Sequence, residues 1–203
     1  MARQAAYDRA DALQKACNLF WARGYHGTSV KDIEAALDMR PGSIYAAFGS
    51  KEGLFAEALE FYAAMGRAEF IRIVGSAASP LEGIAAYIHS IAERCDDNAP
   101  SQACMLAKTV LEMPEDDPVL RRSAEALMSR VEAGFIATFR DAQAQGQLPA
   151  EADPERLGRR LQAQIIGLRA YAQRTDTREK VHGIAEDMAA DILSMQATPA
   201  TAA

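Results

Sequence analysis

An all-α fold is what the sequence predicts, on three observations. Apolar residues recur every three or four positions along most of the chain, runs of alternating β-branched residues are missing, and Ser-Pro, Asp-Pro and isolated Gly break the periodic stretches into helix-sized pieces. Hydrophobic residues at 49% are enough to fill a core, and charged ones at 25% are too few for a disordered chain. The length, 203 residues, allows one large domain or a small one joined to a larger one.

The first of about nine helices is expected from about Tyr7 to Arg23, with Leu13, Cys17 and Phe20 on one face and Gly24 where a left-handed C-terminal cap belongs. The second, about Ser29 to Leu37, carries Val30, Ile33 and Leu37 and takes Thr28 or Ser29 as its cap. Pro41 opens the third, since a first turn does not need its missing amide hydrogen, and the helix reaches about Phe48. Ser50 caps a long fourth helix whose stripe is Leu54, Phe55, Ala58, Leu59, Tyr62 and Met65.

Ser79-Pro80-Leu81-Glu82 joins an N-cap, a first-turn proline and a capping-box glutamate, so the fifth helix starts there, with Ile84, Tyr87, Ile88, Ile91 and Cys95 facing inward. Pro100 is expected to break it. A short sixth helix spans about Gln102 to Glu112, and Asp117-Pro118 opens a seventh that ends near Gly146. Asp153-Pro154 opens the eighth, to about Gln173, and the ninth, about Thr177 to Met195, presents Val181, Ile184, Met188 and Ile192. No internal repeat argues for a solenoid. Ala197 to Ala203 reads as a loose tail.

The net charge of -6 excludes a protein that coats nucleic acid along its whole surface, but the charge is uneven. Residues 1–53 hold seven Lys/Arg against six Asp/Glu, and the remainder holds 15 against 22. A weakly basic head on an acidic body fits a DNA-reading module attached to a part with another task. The three cysteines, Cys17, Cys95 and Cys104, form neither a CxxC pair nor a disulfide framework, which points to a reducing cytoplasm. No signal-peptide pattern or long apolar span is found, so neither secretion nor membrane spanning is expected. GxGxxG, GxxxxGK, HExxH and GxSxG are absent and His26, His89 and His182 have no evident partner set, which argues against an enzyme, a cofactor or a metal site. A helical adaptor is the other competing class.

The segment Gly24 to Phe55, GYHGTSVKDIEAALDMRPGSIYAAFGSKEGLF, is two short helices around a turn at Asp38 to Arg40, the pattern of a helix-turn-helix. Its second helix is too short for a core of its own. Ile44 and Phe48, four apart, turn inward and leave Pro41, Gly42, Ser43, Ala46 and Ala47 outward, with Tyr45 at the edge. Small residues let the backbone approach a groove; Ala46 or Ala47 suits a thymine methyl and Ser43 a single hydrogen bond. Arg40 is the long donor in reach of a guanine, or else a solvated turn arginine. Thr28, Ser29 and Lys51, at helix starts, suit phosphate, and Lys31 is a phosphate contact or a plain surface charge.

This stretch resembles the N-terminal signature of the TetR/AcrR family of transcriptional regulators. The resemblance is carried by Gly24-Tyr25, Thr28, Val30, Ile33, Ala36, Gly42-Ser43, Ile44-Tyr45, Phe48, Lys51 and Leu54-Phe55, and covers roughly residues 8 to 56. It implies a dimeric regulator, usually a repressor, that binds a palindromic operator and is released by a small molecule. It also implies phosphate contacts near Thr28, Ser29 and Lys51 and by the Tyr45 hydroxyl. Ala46 and Ala47 depart from the larger residues many members carry there, so readout of DNA shape is expected to share the task.

On this reading residues 1–53 form the DNA-binding domain, 54–195 the ligand-binding and dimerisation domain, and 196–203 a tail. Helices eight and nine resemble the pair that forms an intersubunit bundle in the family. Leu161, Ile165, Leu168, Ile184 and Met188 would supply its apolar seam and Gly167 close approach, although a helix buried within one monomer shows the same pattern. A pocket for a largely apolar effector is expected among helices four to seven, from Tyr62, Met65, Tyr87, His89, Cys104, Met105, Met128 and Phe135, residue types that also build ordinary core. No ligand spacing supports His89 or Cys104 as a sensor of metals or electrophiles, and both are expected to be buried and neutral.

Overall fold

The computed structural model describes residues 9–95, 99–113, 118–175 and 178–196. Among them are nine helices and no strand: α1 (Arg9–Arg23), α2 (Val30–Leu37), α3 (Pro41–Phe48), α4 (Lys51–Ser76), α5 (Pro80–Arg94), α6 (Met105–Glu112), α7 (Pro118–Ala144), α8 (Pro154–Ala172) and α9 (Arg178–Ser194). The expected Tyr7, Asp117, Thr177 and Ala197–Ala203 lie outside the described residues. The chain divides into two compact units, Met1–Met65 with Met105–Leu127, and Gly66–Cys104 with Met128–Ala203.

In the first unit, the apolar stripes of α1 to α4 converge on Phe20, which meets Phe55 edge to face at 4.9 Å between ring centres. Ala16, Cys17, Ile33, Ile44, Phe48, Leu54 and Leu59 close around them. Burial pushes the Cys17 thiol up to about 12, so it stays protonated and packs as a small hydrophobe. α6 and the start of α7 add Met105, Leu106, Leu120 and Leu127 to the buried set of this unit.

The second unit packs α5 along α9, with Ile84, Ile88, Phe139, Leu161, Val181 and Ala185 fully enclosed. Phe70, Tyr87 and Phe135 form an aromatic cluster, with Phe70 edge-on to both neighbours. α8 comes so close to α7 that a Cβ on Gly158 would lie 2.4 Å from Ile136, so no larger residue fits without moving the helices apart. Ser79 and Asp153 accept from the amides of Glu82 and Arg156 and so start α5 and α8 where their sequences signal.

Two boundaries differ from expectation. α5 ends at Arg94, well before Pro100; two acidic residues, Asp96 and Asp97, follow, where a helix dipole disfavours negative charge. α6 begins at Met105, not Gln102, because a distant residue claims the intervening amides. The Gln173 side-chain oxygen accepts from Ser101 Oγ at 2.9 Å and from the amides of Gln102 at 2.9 Å and Ala103 at 3.1 Å.

Candidate nucleic-acid interface

α2 and α3 are local products of their sequence. Ser29 caps α2 in a reciprocal box, its hydroxyl accepting from the Asp32 amide at 3.2 Å while the Asp32 carboxylate accepts from the Ser29 amide at 2.8 Å. The Ser29 hydroxyl, which also donates to the Asp32 carboxylate at 2.6 Å, and the Ser29 amide, helped by Arg23 at 2.7 Å, hold the Asp32 carboxyl below its usual range. Asp38 ends α2 in the left-handed region at φ 52°, a conformation short acidic and amide side chains tolerate. Arg40 then stands at the N-cap of α3 in extended geometry, with Pro41 in the first turn.

α3 is anchored by two residues. Ile44 and Phe48 are buried, while Arg40, Pro41, Gly42, Ser43, Tyr45 and Ala46 are exposed and Ala47 is half-buried. Tyr45 is 46% exposed, unusual for a large aromatic side chain on a helix eight residues long. Among the described residues the Arg40 and Lys31 side chains and the Tyr45 hydroxyl make no hydrogen bond or ion pair, which leaves all three available to an outside partner.

Lys51 opens α4, where the helix dipole repels a cation, and its ammonium lies 4.2 Å from the centre of the Tyr25 ring. Partial burial lowers its pKa. The ring thereby fixes a cation at a helix start, an arrangement that favours an anion. Tyr25, which also packs on Phe55 at 5.1 Å, belongs to the signature that carries the family resemblance, but its part in holding Lys51 does not follow from the sequence.

Thr28 behaves otherwise than expected. Its side chain is buried, its hydroxyl donates to the Gly24 carbonyl at 2.7 Å and its amide to the Tyr25 carbonyl at 3.3 Å, so it shapes the turn and offers nothing to phosphate. Ser29 is the exposed one of the pair.

The expected pocket residues are spread over both compact units. Tyr62, Met65 and Met105 fall in the first unit; Tyr87, His89, Cys104, Met128 and Phe135 fall in the second. Tyr87, Phe135 and Met105 are buried, Tyr62, Cys104 and Met128 half-buried, and Met65 is 37% exposed. His89 is exposed, contrary to its expected burial, because it falls beside the inward stripe of Ile84, Ile88 and Ile91. Cys104 is not fully buried either. Among the described residues no group of His, Cys, Asp and Glu could hold a metal ion, and no helix is long and apolar enough to cross a membrane.

The residues expected in an intersubunit seam also divide. Leu161, Ile165, Leu168 and Met188 belong to the buried cluster of this chain's own second unit, so they have little surface left to give a partner. Ile184 is half-buried and Gly167 exposed.

Comparison with known proteins adds two family matches. The family described as bacterial regulatory proteins, tetR family, matches residues 12–58. That described as tetracyclin repressor-like, C-terminal domain, matches residues 80–188. The HTH-type transcriptional repressor ComR of Escherichia coli (strain K12) is 30% identical over 190 residues, 90% of this chain and 88% of that protein. The HTH-type transcriptional regulator YezE of Bacillus subtilis (strain 168) is 28% identical over 176 residues, 86% of this chain and 91% of its own. Among solved structures, a cysteine mutant of the TetR family transcriptional regulator CifR, complexed with 26-bp double-strand operator DNA, superposes with a TM-score of 0.85 at 30% identity. That match covers 97% of this chain and 100% of the other.

Proposed function

The chain belongs to the TetR family of bacterial regulatory proteins and is a transcriptional regulator, not an enzyme; from that premise we propose a cytoplasmic repressor that binds a palindromic operator as a homodimer and is released by a small, largely apolar effector. The observation that carries the DNA reading is α3 itself, a short helix held from behind by Ile44 and Phe48 with every other side chain at least partly open to solvent.

In this reading residues 1–53 read DNA, 54–195 bind the effector and the second copy, and 196–203 are a tail. Arg40 contacts a guanine edge, Ser43 makes one hydrogen bond in the groove, and Ala46 and Ala47 touch thymine methyl groups while Pro41 and Gly42 keep the backbone close. Ser29, Lys31, Tyr45 and Lys51 hold phosphates. Direct readout is sparse, so operator shape carries part of the specificity. Two reading heads are needed for half-sites about 34 to 36 Å apart, hence the dimer, with Gly167 and Ile184 the seam residues that retain exposed surface. The effector, held in the second unit near the partly open Cys104 and Met128, favours a conformer whose heads no longer match successive grooves, and so lowers operator affinity.

Selection of bound duplexes from a random pool tests the reading. The expected product is a set of inverted repeats with half-site centres about one helical turn, or a multiple of it, apart. Enrichment of no sequence over the starting pool would contradict it. For the effector, a compound that binds without changing affinity for the selected duplex is excluded from that role.

A further inference from the structure

Tyr87 carries a hydroxyl that the fold does not use. The residue is only 8% exposed, and its ring packs on Phe70 at 4.9 Å and Phe135 at 6.2 Å between ring centres. Among the described residues the hydroxyl makes no hydrogen bond, yet no fully enclosed side-chain oxygen or nitrogen there lacks a partner. The Tyr87 oxygen therefore reaches space that protein atoms leave open.

The charges that act on that oxygen are mostly cationic. Burial raises the Tyr87 pKa, so at neutral pH the phenol keeps its proton and can donate; Arg169 and then Arg94 pull the other way. Arg94 is bound to Glu69 at 2.8 Å, but that carboxylate is shared with Arg72 at 3.0 Å and cannot neutralise both. Arg169 is held through Nε, which donates to the Gln102 carbonyl at 3.1 Å, two residues before Cys104. The Gln173 oxygen anchors the same segment through Ser101, Gln102 and Ala103. Both guanidiniums are thus positioned by bonds within the second compact unit, to which every residue of this cluster belongs.

A buried donor without an acceptor, two positioned guanidiniums and aromatic neighbours together select an anion with an apolar body. A cation would be repelled by Arg169 and Arg94, and a wholly apolar molecule would leave the hydroxyl unpaired. We infer that the second unit binds a small monocarboxylic acid, its carboxylate accepting from the Tyr87 hydroxyl and facing Arg169, with its apolar body against the edge of the aromatic cluster. Taking that acid as the effector rests on the function proposed above; its binding does not.

Butyrate, hexanoate and octanoate, each with its amide as the uncharged counterpart, are titrated into the full chain carrying isotope-labelled tyrosine. The Tyr87 resonance is identified by its loss in Tyr87→Phe. Octanoate is expected to shift that resonance and to bind roughly 10-fold or more tighter than octanamide, with affinity rising about 3- to 4-fold per methylene along the acids. Tyr87→Phe should weaken octanoate by roughly 10-fold or more and octanamide by less. Its melting temperature without ligand should match the wild type, because the hydroxyl has no partner among the described residues to lose. Arg169→Gln should narrow the gap between acid and amide. Equal affinity of acid and amide overturns the inference, as does octanoate binding undiminished in Tyr87→Phe. So does binding by none of the three acids, or a lower melting temperature of Tyr87→Phe, which would give the hydroxyl a partner inside the fold. Should Arg169→Gln fail to fold, Tyr87→Phe decides by the same comparison. Octanoate bound at Tyr87 with no change in affinity for the selected duplex sustains the site and removes this acid from the effector role. A chain that binds octanoate at Tyr87 but prefers no duplex overturns the DNA reading and leaves the site standing.

Discussion

α3 buries two of its eight residues, whereas α5 buries eight of its fifteen. Both are short amphipathic helices with a proline in the first turn, but α3 keeps only the Ile44 and Phe48 anchor and leaves the rest of its surface open. α5 spends its long inward face on Leu81, Ile84, Ile88 and Ile91. In the reading head, function sits on what the core does not use. In the second unit, any function of the inward residues shares the chemistry of the core itself.

The comparison breaks first where the two cores are cut. Phe20→Ala in the first unit and Phe139→Ala in the second each remove a fully buried ring, and each is expected to cost about 3 to 5 kcal/mol. Exchange protection should fall first in the unit that carries the change, and Phe20→Ala should abolish duplex binding. Equal loss of protection across both units from either change would erase the distinction between them.

Arg40→Ala sharpens the comparison at the surface. Its expected cost is about 1 to 3 kcal/mol for the selected duplex with relaxed preference at one base position, and no change in melting temperature, since the Arg40 side chain makes no bond within the described residues. Unchanged specificity in a binding titration would make it a solvated turn residue.

Ser29→Ala tests the helix start, at about 1 kcal/mol of stability by thermal or denaturant unfolding. A pH signature accompanies it. The folded pKa of Asp32 is depressed, chiefly by its bonds with Ser29, so its contribution is present above the unfolded value of about 3.9 and is lost as pH falls through the folded one. The wild-type chain should therefore lose this stability on the acid side, and Asp32→Asn should flatten that part of the profile. The smallest effect is expected from Lys31→Met: unchanged stability and a salt dependence of binding reduced by about one phosphate contact.

Much of this was legible in the chain, because caps and stripes are local. Ser79-Pro80 and Asp153-Pro154 start helices where they stand, and the four-residue spacing of Ile44 and Phe48 turns both inward. His89 was legible too, since the stripe of Ile84, Ile88 and Ile91 leaves it outside. The start of α6 was not, since Gln173 competes for its amides from about seventy positions away. Nor was the fate of Leu161, Ile165 and Leu168, whose spacing marks a buried face without saying what covers it. Thr28 and Ser29 are adjacent and chemically alike, and only the turn at Gly24 decides which hydroxyl folds inward.

The most direct measurement is amide exchange of the full chain with and without its selected duplex. The account predicts slower exchange at residues 29–31 and 40–48, with no comparable change along α8 and α9. Protection that falls on α8 or α9 and spares α3 would contradict it.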